Sequence, residues 1–132
     1  MRPKFSRLVI AAIAATAAIS AGCSSDDDGT LQQTWSIEGS TDPNTCTRVG
    51  AAQMRVVVLD PGLFVRATRF APCTDFSTAI TLDDNNYTAT ATFLDANGVA
   101  VSDTRTLSVF AIRENVTTRL HIDFPVGSFL PR

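Results

Sequence analysis

From Leu31 onward, apolar and polar residues alternate with a period of two, the spacing that puts successive side chains on opposite faces of a pleated strand. Leu31, Trp35 and Ile37 share one face, opposed by Gln32, Thr34, Ser36 and Glu38. Phe76, Thr78, Ile80 and Leu82 mark another strand. Tyr87, Ala89, Ala91 and Phe93 oppose Thr88, Thr90 and Thr92, and Val116, Thr118, Leu120, Ile122 and Phe124 oppose Thr117, Arg119, His121 and Asp123. Met54 to Leu59 reads as a more deeply buried strand, and Leu63 to Phe70 and Arg105 to Ile112 complete a set of about seven.

Turn chemistry falls between these runs. Asp60-Pro61-Gly62, Asp83-Asp84-Asn85-Asn86 and Asp95-Ala96-Asn97-Gly98 carry the residues that tolerate or pre-set turn dihedrals, so hairpins are expected there. Asp42-Pro43-Asn44-Thr45 is the one helical signal: Asp42 can cap and Pro43 can open one or two turns ending near Gly50. The expectation is an all-β domain over residues 31–132, a single antiparallel β-sandwich with at most one short helix, placed before the second strand.

The N-terminal segment follows a different pattern. Arg2, Lys4 and Arg7 precede an Ala- and Ile-rich run from Leu8 to Ile19, and Ser20-Ala21-Gly22 is a small-residue site before Cys23. A basic start, an apolar stretch and a small-residue end describe a signal peptide over residues 1–22. The apolar run is shorter than the ~20 residues a spanning helix needs.

Ala21-Gly22-Cys23 resembles the end of the lipobox of bacterial lipoproteins, with Ser20 where that motif usually has Leu. The resemblance implies cleavage after Gly22 and a lipid on the Cys23 thiol, anchoring the mature chain to a membrane of the cell envelope. With Cys23 set aside as lipid acceptor, Cys46 and Cys73 remain, and in an oxidising envelope compartment they form a disulfide. A structural metal is not expected, because His121 is the one histidine and no CxxC occurs. Ser24 to Thr30 is polar and acidic, and residues 23–30 read as the lipidated cysteine and a flexible tether. In diderm lipoproteins an Asp directly after the acylated cysteine commonly signals inner-membrane retention; Ser24 favours the outer membrane if the host is diderm.

Charge narrows the partners. After cleavage eight arginines face thirteen carboxylates, a net of −5, with no lysine and no clustered cations, so nucleic acid is excluded as an expected partner. At 132 residues and 45% apolar, the chain holds one folded core, and a monomeric domain is the expectation.

Leu82-Asp83-Asp84-Asn85-Asn86-Tyr87-Thr88-Ala89 resembles the tyrosine corner of immunoglobulin-like domains, whose pattern is Asp-x-Gly/Ala-x-Tyr-x-Cys. Asp83 and Tyr87 match; Asn85 stands in the Gly/Ala place and Ala89 in the cysteine place. The resemblance implies an immunoglobulin-like sandwich and a Tyr87 hydroxyl bonded to backbone a few residues upstream. Carboxypeptidase-regulatory-like and fibronectin-type modules share such a tyrosine. Trp35, Cys46, Cys73 and Asp123-Phe124-Pro125 are also similar to marks of bacterial lipoprotein domains that carry no assigned activity.

Catalytic chemistry is sparse. There is no GxSxG elbow, His121 lies on a polar strand face, and Asp83-Asp84 is simplest as a turn. Asn115-Val116-Thr117 fits a glycosylation sequon, which carries no weight in most bacteria. Phe64 and Phe70, flanking Arg66 and Arg69, lie on a strand without clean alternation, suited to a sheet edge, with core packing as the default for both rings. The tail Val126 to Leu130 is expected to dock on the domain. The functional expectation is a lipid-anchored cell-envelope protein whose sandwich is a noncatalytic binding or structural module for an envelope protein or glycan, with no catalytic residue and no cofactor. The alternative is an accessory subunit or enzyme acting on envelope polymers through loop carboxylates.

Overall fold

Seven strands and one helix arise where the pattern of the chain requires them, in a computed structural model that describes residues 27–131. In chain order they are β1 (Asp28–Ile37), α1 (Pro43–Val49), β2 (Gln53–Leu59), β3 (Val65–Pro72), β4 (Ser77–Asp83), β5 (Asn85–Leu94), β6 (Arg105–Ile112) and β7 (Thr117–Phe124). Short 3-10 turns follow β3 at Cys73–Asp75 and β7 at Val126–Ser128. The proposed signal peptide, the Cys23 acceptor site and the tether residues Ser24 to Asp26 lie outside the described residues.

The strands form two sheets, β4-β1-β7 and β3-β2-β5-β6, packed face to face as an all-β sandwich. One pairing departs from the antiparallel expectation: β1 and β7 run parallel, with Trp35 opposite Ile122 and Ile37 opposite Phe124. The reason is parity. Every connection in this chain reverses the strand direction, so first and seventh strands, six reversals apart, must point the same way when they become neighbours.

β1 starts three residues earlier than the alternation suggests. Asp28, Gly29 and Thr30 pair with Asp83, Leu82 and Thr81 of β4, which takes them out of the expected tether. Gly29 makes this possible, because a Cβ there would collide with the backbone oxygen of Arg113. Asn115 N donates to Asp28 O and Thr30 N to Val116 O, so the β6–β7 turn closes over the start of β1.

α1 forms as its signals demand. Asp42 is extended and its side chain accepts from Asn44 N, Pro43 opens the first turn, and Gly50 ends the helix in the left-handed region at φ 76°. The helix carries Cys46, which is bonded to Cys73 at an S–S distance of 2.04 Å and a Cα–Cα distance of 6.1 Å. Trp35 Nε1 donates to Cys73 O at 3.1 Å, so the disulfide corner is also held to the core.

The core lies between the sheets and takes Leu31, Trp35 and Ile37 from β1, Met54, Val56 and Val58 from β2, and Ala89, Ala91 and Phe93 from β5, all fully buried. The tail docks on the domain: Phe129 stacks on Phe93 at 5.6 Å and lies 6.2 Å from Phe124. β7 is drier only at its end, since Phe124 is fully buried while Leu120 and Ile122 are half-buried and Val116 is exposed. It is an edge strand, and among the described residues no further strand covers the side chains at its start.

Two expectations on β3 change. The strand begins at Val65, leaving Leu63 and Phe64 in the turn, and both phenylalanines are exposed rather than packed in the core. Met54, Val56 and Val58 point inward and pair with Ala71, Arg69 and Ala67, so the register turns Phe70 to the outer face of the sheet. Arg69 then lies on the inward-facing side of an edge strand, a placement that discourages another strand from adding there.

Candidate functional site

The parallel register of β1 and β7 assembles the densest polar cluster among the described residues. It sets Thr34 beside His121 and Ser36 beside Asp123. Ser36 Oγ donates to Asp123 Oδ1 at 2.6 Å and lies 3.0 Å from His121 Nε2, while Thr34 Oγ1 lies 2.7 Å from His121 Nδ1. Gly39 N also donates to Asp123 Oδ1 at 2.7 Å. The Ser36 bond and then the Gly39 amide hold the Asp123 carboxyl below the usual carboxylate range, against the opposing effect of burial.

A serine, a histidine and an aspartate in contact invite comparison with a nucleophilic triad, but the protons are arranged otherwise. In a triad the histidine takes the serine proton through one ring nitrogen and the aspartate orients the ring through the other. Here the Ser36 proton goes to Asp123, so Ser36 Oγ accepts from His121 Nε2–H, and His121 Nδ1 faces Thr34. Ser36 is also buried. The cluster bridges β1 and β7, and its hydrogen bonds differ from the triad arrangement. Sequence pattern alone placed Ser36 and His121 on polar faces of separate strands, and only the register joins them.

A second polar grouping lies where the chain enters the domain. Asp28 and Asp83 are directly opposed across β1 and β4. The hydrogen bond with Asp83 raises the Asp28 carboxyl above its ordinary value, helped by burial and by the negative charges of Asp83 and Asp27. Tyr87 stands beside it: its hydroxyl donates to Asp83 O at 2.8 Å, and its ring, largely buried, sits 6.1 Å from that of Phe110. Arg113 reaches Asp84 at 3.5 Å on the surface.

The third grouping is apolar and surrounds the tip of the β2–β3 hairpin. The buried carboxylate of Asp60 accepts from Gly62 N at 2.9 Å, Phe64 N at 3.0 Å and Arg66 Nε at 2.8 Å. Asp60 N in turn donates to Phe64 O, and Leu63 N to Asp60 O. These bonds, the Phe64 amide first, hold the Asp60 carboxyl below its ordinary value. The tight loop forces Leu63 to a φ of 67°, the left-handed region that a leucine rarely adopts. Its side chain forms one wall of a shallow hollow of about 350 Å³, lined also by Pro61, Tyr87, Thr88 and Val109. No spacing rule marked this place; the Asp-Pro-Gly signal gave the turn and not the outward display of Leu63 and Phe64.

Of the residues singled out from the sequence, Cys23 lies outside the described residues, Cys46 and Cys73 are bonded to each other, and Asp83 and Tyr87 are joined through the Asp83 carbonyl. His121 joins the polar cluster with Thr34, Ser36 and Asp123. Among the described residues no group of three or more His, Cys, Asp or Glu side chains is placed to hold a metal ion, and no helix is long and apolar enough to cross a membrane. No protein-family model matches the chain, and a search of curated proteins returns no relative.

Proposed function

We propose that the chain is a lipid-anchored protein of the cell envelope, tethered through Cys23 and, in a diderm host, facing from the outer membrane, with the sandwich as a noncatalytic binding or structural module. The observation that carries the noncatalytic part is the wiring of the Ser36–His121–Asp123 cluster, in which the serine proton is already held by the aspartate and the serine is buried. The bond between Cys46 and Cys73 suits an oxidising envelope compartment and stiffens the end of the domain remote from the tether. A rigid sandwich on a short leash can present loops to an envelope protein or glycan without any reacting group.

Crosslinking mass spectrometry on intact host cells tests the reading. A recurrent envelope component crosslinked to one cluster of loops is the expected result. Crosslinks spread evenly over the domain, with no recurrent partner, would sink the module reading.

A second reading, an accessory subunit or enzyme acting on envelope polymers, draws on the opposed carboxylates of Asp28 and Asp83, where the hydrogen bond with Asp83 raises the Asp28 carboxyl above its ordinary value. It predicts that Asp83→Asn abolishes a polymer-degrading activity of the purified chain while leaving the fold intact.

A further inference from the structure

We propose that the tip of the β2–β3 hairpin, led by Leu63 and Phe64, inserts into the lipid–water interface of the bilayer to which Cys23 tethers the chain. The inference rests on the lipid-anchoring reading above and adds to it a second, non-covalent membrane contact with a defined orientation.

The first argument is position. Because the strands reverse direction at every connection, the start of β1, the β2–β3 tip, the β4–β5 corner and the β6–β7 turn all lie at one end of the sandwich. Direct contacts tie three of them together: Asp84 N donates to Asp27 O, and Asn115 N to Asp28 O. The hairpin tip adjoins the start of β5 through the hollow shared by Leu63, Asn86 and Tyr87. α1, the disulfide and the docked tail occupy the opposite end.

The second argument is reach. β1 begins at Asp28, so only four residues separate Cys23 from the first residue of the sheet. Fully extended, those five steps span at most about 17 Å, of which a headgroup layer takes about 5 to 8 Å, so an acylated Cys23 keeps this end of the domain within about 10 Å of the membrane surface.

The third is chemistry. Leu63, Phe64 and Val65 are 73%, 71% and 58% exposed, and Val116, at the same end, is 50% exposed. Val109 extends this surface along the wall of the hollow. A leucine held in the left-handed region and in water is unfavourable twice over, and the Asp60 hydrogen bonds keep it there. Covering it with lipid relieves the second cost. Arg66, the cation next to the tip, is paired with Asp60, so the tip presents no uncompensated charge. Asp27, Asp28, Asp83 and Asp84 gather at the same end on the other sheet, which favours zwitterionic over anionic lipid.

The test is depth-dependent quenching of a tryptophan placed at the tip. The full chain carrying Phe64→Trp is produced in a host that acylates lipoproteins and reconstituted in phosphatidylcholine vesicles with and without brominated acyl chains. Val126→Trp, exposed at the opposite end, is the control, and the fully buried Trp35 of the parent chain sets the background. The mass of the peptide beginning at Cys23 is measured on the same sample. The expected result is an acylated peptide, with emission from the position-64 variant reduced severalfold by bromine and emission from the position-126 variant unchanged. An acylated peptide with no quenching at position 64 overturns the inference and leaves the anchoring reading standing. Equal quenching of both variants overturns it too, since the domain would then lie flat on the bilayer. A peptide without acyl chains removes the anchoring reading and this inference with it.

Discussion

Tyr87 and Gln33 are both largely buried polar side chains, yet their hydrogen-bond inventories set opposite expectations for replacing them. The Tyr87 hydroxyl has its partner, the Asp83 carbonyl at 2.8 Å, and the bond ties the β4–β5 corner to β5. Tyr87→Phe leaves that carbonyl short of a donor and is expected to destabilise the domain by about 1 kcal/mol, read as a lower midpoint in urea. An unchanged midpoint would mean the corner is held by its backbone alone. Gln33 lies fully buried in line with Leu31 and Trp35. Its Nε2 donates to Thr34 O at 3.0 Å and weakly to Leu120 O at 3.4 Å, while Oε1 is buried without a partner. Gln33→Met, similar in length and free of that orphaned oxygen, is expected to leave stability unchanged or raise it. A marked loss on thermal melting would show that the two donated bonds outweigh the unpaired acceptor. Alternation puts residue 33 on the face of Leu31, Trp35 and Ile37, but a glutamine there breaks the apolar pattern, and only the structure shows it buried with an unpaired oxygen.

At the scale of elements, the disulfide joins α1 to the 3-10 turn after β3, two pieces with little apolar surface of their own. It closes a loop of 27 residues in sequence separation, for which loss of unfolded-chain entropy stabilises the fold by about 3 to 4 kcal/mol. Reduction under native conditions, or replacement of Cys46 and Cys73 by alanine, is expected to lower the denaturation midpoint accordingly. Early loss of protection at the amides of α1 should accompany it in hydrogen exchange. If the midpoint does not move, Trp35 and the helix caps hold this corner without the covalent bond. α1 itself was legible residue by residue, because a cap, a proline and a terminal glycine act locally. β3 was less so. Its edge position could be anticipated from poor alternation, but whether Phe70 faces in or out depends on a register with β2 that no local signal encodes.

For the molecule as a whole, three shifted carboxylates make stability depend on pH in two directions. Asp60 and Asp123 lie below their ordinary value of 3.8 in the folded state, so their stabilisation is complete above that value and is lost as pH falls from it through the lowered folded-state values. Asp28 lies above 3.8 when folded, so its contribution is largest below that value and disappears as pH rises through the raised one. Acidification from neutrality should therefore stabilise the domain slightly before destabilising it, with the maximum on the acid side of neutral. Thermal melts across pH check this, and Asp28→Asn should flatten the rise while leaving the acid loss in place. A parent profile that declines steadily from neutrality would contradict the assigned role of Asp28.

The sequence by itself determined the strand content, the hairpin turns after β2 and β5, the capped helix and the cysteine pair, because alternation, turn residues and caps act over a few neighbouring residues; Asp83 to Asn86, also expected as a hairpin, instead carries the chain from one sheet to the other. The proposed export and anchoring signals belong to the same kind, since they are read as linear motifs. Only the tertiary structure decided which strands became neighbours, and with them the parallel β1–β7 pair, the Thr34–Ser36–His121–Asp123 cluster and the opposed Asp28 and Asp83. The same holds for the exposure of Leu63 and Phe64, which follows from the closure of the Asp60 loop and from a three-stranded sheet facing a four-stranded one. The strand pairings depend on register between segments far apart in the chain, and a shift of one residue would have turned Thr34, Ser36, His121 and Asp123 to the other face.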